Sequence, residues 1–319
     1  MHYAFRATRT GSLAMPSRTQ WTFGGSTLHR IVESEGPLLS PYEIFADCTP
    51  AHLDANRGWL VPRFQDAAGG LLVITIQSFL IRKAGLTVLV DSCGGNDKER
   101  VRPHFHRQRR PWLDTLRAAG CRPEEVDVVL CSHLHVDHVG WNTRLENGRW
   151  VPTFPNARYL VSRREWDHWR TAGPAALART GDYIGDSVLP IFAAGQAELI
   201  GDEHALANDI AIEPAPGHTP GLLTVRLGGG RDEAILASDL MHHPLQIRYP
   251  DWSTRFCSDP DQARRTRRNF FAQHAGSGRL IFASHFPGPS GVTIERDGAD
   301  YRFAFDGEAE GVAWQRATA

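Results

Sequence analysis

An α/β fold, with β-sheets packed between helices, is the class this sequence predicts. Three observations carry it. Apolar runs rich in β-branched residues recur along the chain, helical stretches separate groups of them, and 41% apolar with 22% charged residues is an ordinary globular composition. Residues 1 to 68 are mixed and weakly periodic, and the turn-rich SEGPLLSP and CTPAH mark them as an N-terminal extension with short elements. From Leu71 the pattern sharpens: LLVITIQSFLI and LTVLVD flank a Gly-containing turn and read as a hairpin that ends at Asp91. PWLDTLRAAG reads as a helix, with Trp112, Leu113 and Leu116 on one face and Gly120 at its C-terminal cap. Val126 to Cys131 is a buried strand, a hairpin-like stretch follows, and ARYLVS is another short strand. REWDHWRTAG is helical, and the chain stays helical and irregular to about Ile200.

The second half repeats the style. IAIEPAPGH, LLTVRLGGG and EAILASD are strand-like segments ending on polar residues. Ser258-Asp259-Pro260 opens a helix, with a capping residue and Pro in the first turn, that stops near Gly276. RLIFASH is a buried strand and YRFAF a final one.

Charge and composition narrow the function. Lys+Arg is 35 and Asp+Glu 36, a net charge of -1, so the basic excess of a nucleic-acid-binding protein is missing. The run Leu71 to Ile76 falls far short of the roughly 20 apolar residues that span a bilayer, and the N-terminus has no apolar signal core. Five scattered cysteines do not read as a disulfide framework, which makes a reducing cytoplasm the expected setting. The partner expected is therefore a small molecule, not nucleic acid or a membrane.

The count that stands out is 15 His. Cys131-Ser-His-Leu-His-Val-Asp-His places His133, His135, Asp137 and His138 just past a buried strand. Imidazole and carboxylate hold Zn²⁺ or a similar divalent ion. His133 and His135 point the same way by the period of two, while Asp137 and His138 lie on the following turn and can serve a neighbouring ion. Further ligands arrive where apolar runs meet polar turns: His218 after IEPAPG, Asp239 after AILAS and His285 after LIFAS. Five His and two Asp suit a two-metal centre with positions left open for water. Packing alone does not explain three His and one Asp within six residues, because each buried polar group without a partner costs about 2–7 kcal/mol.

HLHVDH, PGHTPG, then Ser238-Asp239 and Ser284-His285, in that order, resemble the metallo-β-lactamase superfamily over about residues 70 to 306. The resemblance implies an αββα sandwich with a dinuclear metal site at one edge, formed by residues 69–319, with residues 1–68 packed on or beside it. It implies that His133, His135 and His218 hold one divalent ion, that Asp137, His138 and His285 hold the other, that Asp239 bridges them, and that Asp91 is the structural aspartate nearby. Zn²⁺ is the metal expected. HVGWN, DLMHHPLQ and HFPGPSG are similar to methyl-parathion-hydrolase-like and lactonase-like members. Acyl-homoserine lactonases carry a Tyr shortly after the bridging Asp. Here His242 and His243 stand in that place, which favours the broader group of esterases, lactonases and phosphotriesterases.

Two cations sharing a water would lower its pKa to about 7, so hydroxide is present at neutral pH to attack a carbonyl or phosphoryl centre. Asp137 is the residue expected to orient that hydroxide and shuttle its proton. The function expected is hydrolysis of a small ester, lactone or related substrate, with phosphotriester hydrolysis or hydrolytic dehalogenation as alternatives. A nuclease of the superfamily would need a basic exosite or an added domain, and a flavodiiron relative a flavodoxin-like domain. Trp141, His242, Tyr249 and Trp252 are the substrate-side candidates, with Phe256, and the stretch Trp166 to Ile200 is a candidate roof. His242 has a second reading, as a residue that steadies a metal ligand. His104-Phe-His106 is expected on a surface loop, and Arg264, Arg265, Arg267 and Arg268 on a solvated helix face. The N-terminal extension suggests a homodimer.

Overall fold

The alternating apolar runs assemble into two seven-stranded sheets. In the computed structural model, residues 18–230 and 232–307 are described, apart from the side chains of 172–176; residues 1–17, the start of the expected extension, lie outside them. The chain runs β1 (Gln20–Phe23), β2 (Ser26–Leu39), α1 (Pro41–Ile44), α2 (Pro50–Leu60), β3 (Leu72–Lys83), β4 (Leu86–Val90), α3 (Trp112–Ala118) and β5 (Val128–Cys131). It continues with the hairpin β6 (Thr143–Glu146) and β7 (Arg149–Pro152), then β8 (Arg158–Ser162), α4 (Arg163–Leu177), α5 (Tyr183–Ser187), α6 (Leu189–Ala193) and β9 (Ala197–Ile200). The second half is β10 (His204–Ala207), β11 (Ile210–Pro214), β12 (Leu223–Gly229), β13 (Asp232–Ser238), α7 (Leu245–Arg248), α8 (Pro260–His274), β14 (Leu280–Ala283), β15 (Gly291–Asp297) and β16 (Asp300–Phe305).

The first sheet has the order β1-β2-β3-β4-β5-β8-β9, and the second runs β10 to β16 in chain order. The period of two sorts each strand's side chains between two cores. Val88 and Val90 of β4, Val128 and Leu130 of β5, Val225 and Leu227 of β12 and Phe282 of β14 meet in one cluster between the sheets. Their neighbours Leu89, Val129, Cys131, Ile281 and Ala283 face the other way, into a cluster shared with the helices. Trp21 and Phe79 of the first sheet meet the ring of Phe282 edge-on, at 4.8 and 5.8 Å. Helix, sheet, sheet and helix thus stack as expected. The predicted hairpin is β3–β4, paired antiparallel from Phe79–Val90 to Lys83–Leu86.

Three expectations are corrected here. The extension is not made only of short elements, since β2 spans 14 residues and pairs along β3 from Thr27–Arg82 to Leu39–Leu72, as an inner strand of the first sheet. Asp259 caps α8 as expected, its carboxylate accepting the Gln262 N–H at 2.8 Å. Arg267 on that helix, however, is 1% exposed and not solvated. Its guanidinium donates to the carbonyls of Leu240 (2.8 Å), Pro250 (2.7 Å) and Trp252 (2.7 Å), and so ties down the loop that follows Asp239. The HxH loop is not simply surface either: Phe105 is buried and His104 is half-buried. Burial and Arg110 lower the His104 pKa to about 4, against an opposing pull from the Asp137 carboxylate. No helix among the described residues is long and apolar enough to cross a membrane.

Candidate metal centre

Strand direction brings the site together. β4, β5 and β8 are parallel neighbours, as are β13 and β14. Asp91 follows the end of β4 and the 133–138 segment follows β5. His218 follows β11, Asp239 follows β13, and His285 lies just past β14. Asp91 and Ser238 take left-handed backbone angles, φ 60° and 46°, an uncommon conformation for residues with a Cβ and one that often marks functional turns.

Asp239 sits in the middle, 3% exposed. Its Oδ2 lies 3.2 Å from Nε2 of His218 and of His242, 3.4 Å from that of His138 and 3.6 Å from that of His133. His285 Nε2 is 3.2 Å from Oδ1. Asp137, half-buried, reaches His285 Nε2 at 3.7 Å and His138 Nε2 at 3.9 Å. Donor atoms of His133, His135, His218 and Asp239 lie within 4.8 Å of one another, and so do those of Asp137, His138 and His285. Asp239, His242 and His285 form a third such group.

The donor chemistry fits divalent cations. The Nε2 atoms of His133 and His138, Oδ1 of Asp239 and both ring nitrogens of His242 are buried with no hydrogen-bond partner among the described residues. Such orphaned atoms are costly unless something between them satisfies several at once. The far sides of the rings are held. His138 Nδ1 meets Asp91 Oδ2 at 2.8 Å and His285 Nδ1 meets the Thr75 carbonyl at 2.8 Å. Both partners are acceptors, so the proton sits on Nδ1 and the Nε2 lone pair is turned inward. His133 Nδ1 lies 3.1 Å from Ser132 Oγ, and His218 Nδ1 lies 3.6 Å from the thiol of Cys257.

Electrostatics divide the imidazoles. Burial, reinforced by neighbouring imidazoles, lowers the pKa of His135 to about 3 and of His218 to about 4, and pushes His133 well down. In His138 burial acts downward but is outweighed by Asp239, Asp91 and Asp137, and the net shift is upward; Asp239 and Asp137 likewise raise His285. His243 is lowered to about 4 by burial, with its Nε2 3.0 Å from the Phe64 carbonyl. An acid response follows for the metal-free protein. Below about pH 6.5 an unfolded chain protonates these imidazoles while folded His135, His218 and His243 refuse the proton until about pH 3–4. The unfolded state then binds more protons, so stability is present above that window and falls as pH drops through it, by up to about 1.4 kcal/mol per unit for each group. His138 and His285, raised above the usual imidazole value, act in the other window: their contribution is fully present below about pH 6.5 and is lost only as pH rises through their folded values, so they do not offset the fall on acidification. Thermal midpoints should fall steadily from pH 6.5 to 4, and a flat profile would contradict these assignments.

The metallo-beta-lactamase superfamily model matches residues 73–285. This chain belongs to the metallo-beta-lactamase superfamily. It is 26% identical over 109 residues to an N-acyl homoserine lactonase of a Bacillus species, a stretch that is 34% of this chain and 36% of that protein. It is 28% identical over 128 residues to the N-acyl homoserine lactonase AttM of Rhizobium johnstonii, covering 35% of this chain and 45% of that one. The match thus spans less than half the length of these curated relatives. Among solved structures, the hydrolase AbOPH of the beta lactamase superfamily superposes with a TM-score of 0.74 at 24% identity, over 92% of this chain and 98% of that one. AidC, a dizinc quorum-quenching lactonase, gives 0.75 at 21% identity, with the same coverage. At these identities the structural likenesses establish the superfamily's fold.

Within this superfamily fold the seven expected ligands converge, but the expected substrate-side residues divide. His242 does face the centre, 4% exposed, its ring stacked 5.3 Å from that of His285. It is not half of a solvated pair, since His243 beside it is fully buried. Trp141 is buried: its ring stacks on Trp112 at 5.5 Å and its N–H donates to buried Glu33 at 2.7 Å. Glu33 also accepts the N–H groups of Gly94 and Gly95, so Trp141 braces the turn after Asp91. Tyr249 and Trp252 stack on each other at 4.3 Å, and Tyr249 Oη accepts from Asn56 of α2 at 2.8 Å, which commits these rings to packing against the N-terminal segment. The expected roof supplies Trp169, whose ring lies 5.5 Å from His135, and Tyr183, a buried phenol whose hydroxyl has no hydrogen-bond partner among the described residues. The sequence singled out neither residue, only the stretch Trp166 to Ile200 that contains both.

Proposed function

We propose that this chain is a hydrolase that uses two divalent cations, Zn²⁺ foremost, to open a small ester or lactone. The observation that carries the reading is the Asp239 carboxylate ringed by five inward-facing imidazole nitrogens, four within 3.4 Å and the fifth at 3.6 Å. His133, His135 and His218 would hold one cation, Asp137, His138 and His285 the other, and Asp239 would touch both. Held there, divalent cations would supply Lewis acidity, lowering the pKa of a bound water and polarising the electrophile.

The chain's own residues do the rest. Asp91 and the Thr75 carbonyl hold protons on the Nδ1 atoms of His138 and His285, fixing both rings. Asp137, the half-buried carboxylate, takes up a proton and returns it to the leaving alkoxide. His242 is free to donate to the substrate's oxygen as negative charge builds there. Trp169 and Tyr183 wall the cleft on the side of His135, and the Trp169 ring excludes water there. The curated relatives named N-acyl homoserine lactonases support the lactone arm. His242 supports a second reading, phosphotriester hydrolysis, because an imidazole there suits a phosphoryl oxygen as well as a carbonyl.

The test is elemental analysis and turnover of one preparation before chelation, after it, and after Zn²⁺ is restored, on lactones, aryl esters and phosphotriesters. We expect about two ions per chain, loss of lactone or ester turnover on chelation and its return with Zn²⁺. Metal-independent turnover, or none on any of the three classes, removes the reading.

A further inference from the structure

One fully buried acid outside the ligand set grips the site from behind. Glu165 lies in the first turn of α4, 0% exposed. Its Oε1 accepts the backbone N–H of Leu134 at 2.9 Å and the indole N–H of Trp169 at 2.7 Å. Its Oε2 accepts the backbone N–H of Gly221 at 3.0 Å. Leu134 sits between His133 and His135, and Gly221 closes the turn that carries His218. A single carboxylate therefore ties together the two loops that supply all three imidazoles of the first cation's group.

The approach is close enough to dictate the sequence. A Cβ on Gly221 would stand 2.4 Å from the Glu165 backbone nitrogen and 2.7 Å from Ser162 Oγ, so only hydrogen fits there. Among the described residues, three N–H donors meet the Glu165 carboxylate and no Lys or Arg pairs with it. A buried anion compensated by N–H groups alone is expensive, and its charge is best offset by cations one layer further in. Trp169, one turn along α4, is held by the same carboxylate and lies 5.5 Å from the His135 ring.

We propose that Glu165 is a positioning residue for the first cation: through the Leu134 and Gly221 amides it sets the spacing of His133 and His135 against His218, and so that cation's affinity. The proposal rests on the two-cation reading above. Glu165→Gln keeps the shape but turns one acceptor into a donor facing N–H groups that already donate, and it removes the charge. The full-length protein and this variant are loaded with Co²⁺, and each ion's release to a chelator is followed alongside its visible spectrum. We expect one of the two ions to leave about 10–100-fold more readily from the variant, with a changed ligand-field spectrum, while the other keeps its affinity. A variant that holds both ions with unchanged affinity and spectrum overturns the proposal. A wild-type protein that binds no Co²⁺ overturns the two-cation reading instead. If the variant does not fold, hydrogen exchange on the loaded wild type decides: slow exchange at the Leu134 and Gly221 amides is expected, and fast exchange at both overturns the clamp.

Discussion

Asp239→Ala is expected to remove hydrolysis, lowering kcat/KM by about a thousandfold or more, and to leave less than one cation bound per chain. Five buried imidazoles point at this carboxylate, and its Oδ2 alone is within 3.6 Å of all five. Burial acts to raise its pKa, but His285, His138, His242 and His133 outweigh that and hold the carboxyl well below its usual range. The upward shifts of His138 and His285 lean on the same charge, so the alanine variant loses the anion that organises both halves of the site. Asp239→Asn separates charge from shape: it keeps one oxygen acceptor and should retain a single cation at reduced affinity. Elemental analysis with steady-state kinetics on both variants is the check. An alanine variant that holds both cations and stays within tenfold of wild type would falsify the central role given to Asp239.

How much of this could be read from the chain depends on how each residue's role is written in local pattern. The ligands were legible because metal chemistry compresses His133, His135, Asp137 and His138 into one strand exit, and because His218, Asp239 and His285 each end an apolar run. The strands β4, β5, β13 and β14 that lead into the site are short apolar runs buried on both faces, which made the sheets legible too. β2 was not, because its register with β3 shifts between Val32 and Ser34 and again between Pro37 and Leu39, and each irregularity breaks the period of two. Glu165 and Arg267 were hidden for a different reason. A charged residue on a helix is usually solvated, and only the tertiary approach of Leu134 and Gly221, or of the Leu240 and Trp252 carbonyls, turns it inward. Trp141 shows the opposite case: it follows the metal segment directly, yet a backbone bend after His138 brings its indole N–H to Glu33, a contact nothing in the local pattern announces.

Asp91 makes the second large prediction, because it belongs to the fold and the site at once. Its carboxylate is 2% exposed and accepts three bonds at 2.8 Å: from Ser132 N–H at Oδ1, and from Ser132 Oγ and His138 Nδ1 at Oδ2. Asp91→Ala strands the buried Ser132 N–H and the outward-facing Nδ1–H of His138, and it puts a Cβ-only side chain on a backbone at φ 60°, a conformation Asp tolerates better than Ala. Breaking a buried charged pair of this kind costs about 3–5 kcal/mol. The unanchored His138 ring should also weaken the cation shared by Asp137, His138 and His285 by about 10–100-fold, since that imidazole loses the acceptor that fixes its proton. Asp91→Asn keeps the backbone preference and an acceptor for Ser132 N–H, but sets an amide N–H₂ against the His138 N–H. It should therefore recover most of the stability and little of the metal affinity. Urea denaturation of the metal-free protein and chelator competition on the loaded protein measure the two losses separately. If Asn restores affinity as fully as stability, Asp91 is holding the turn only, and the orientation of His138 is set by something else.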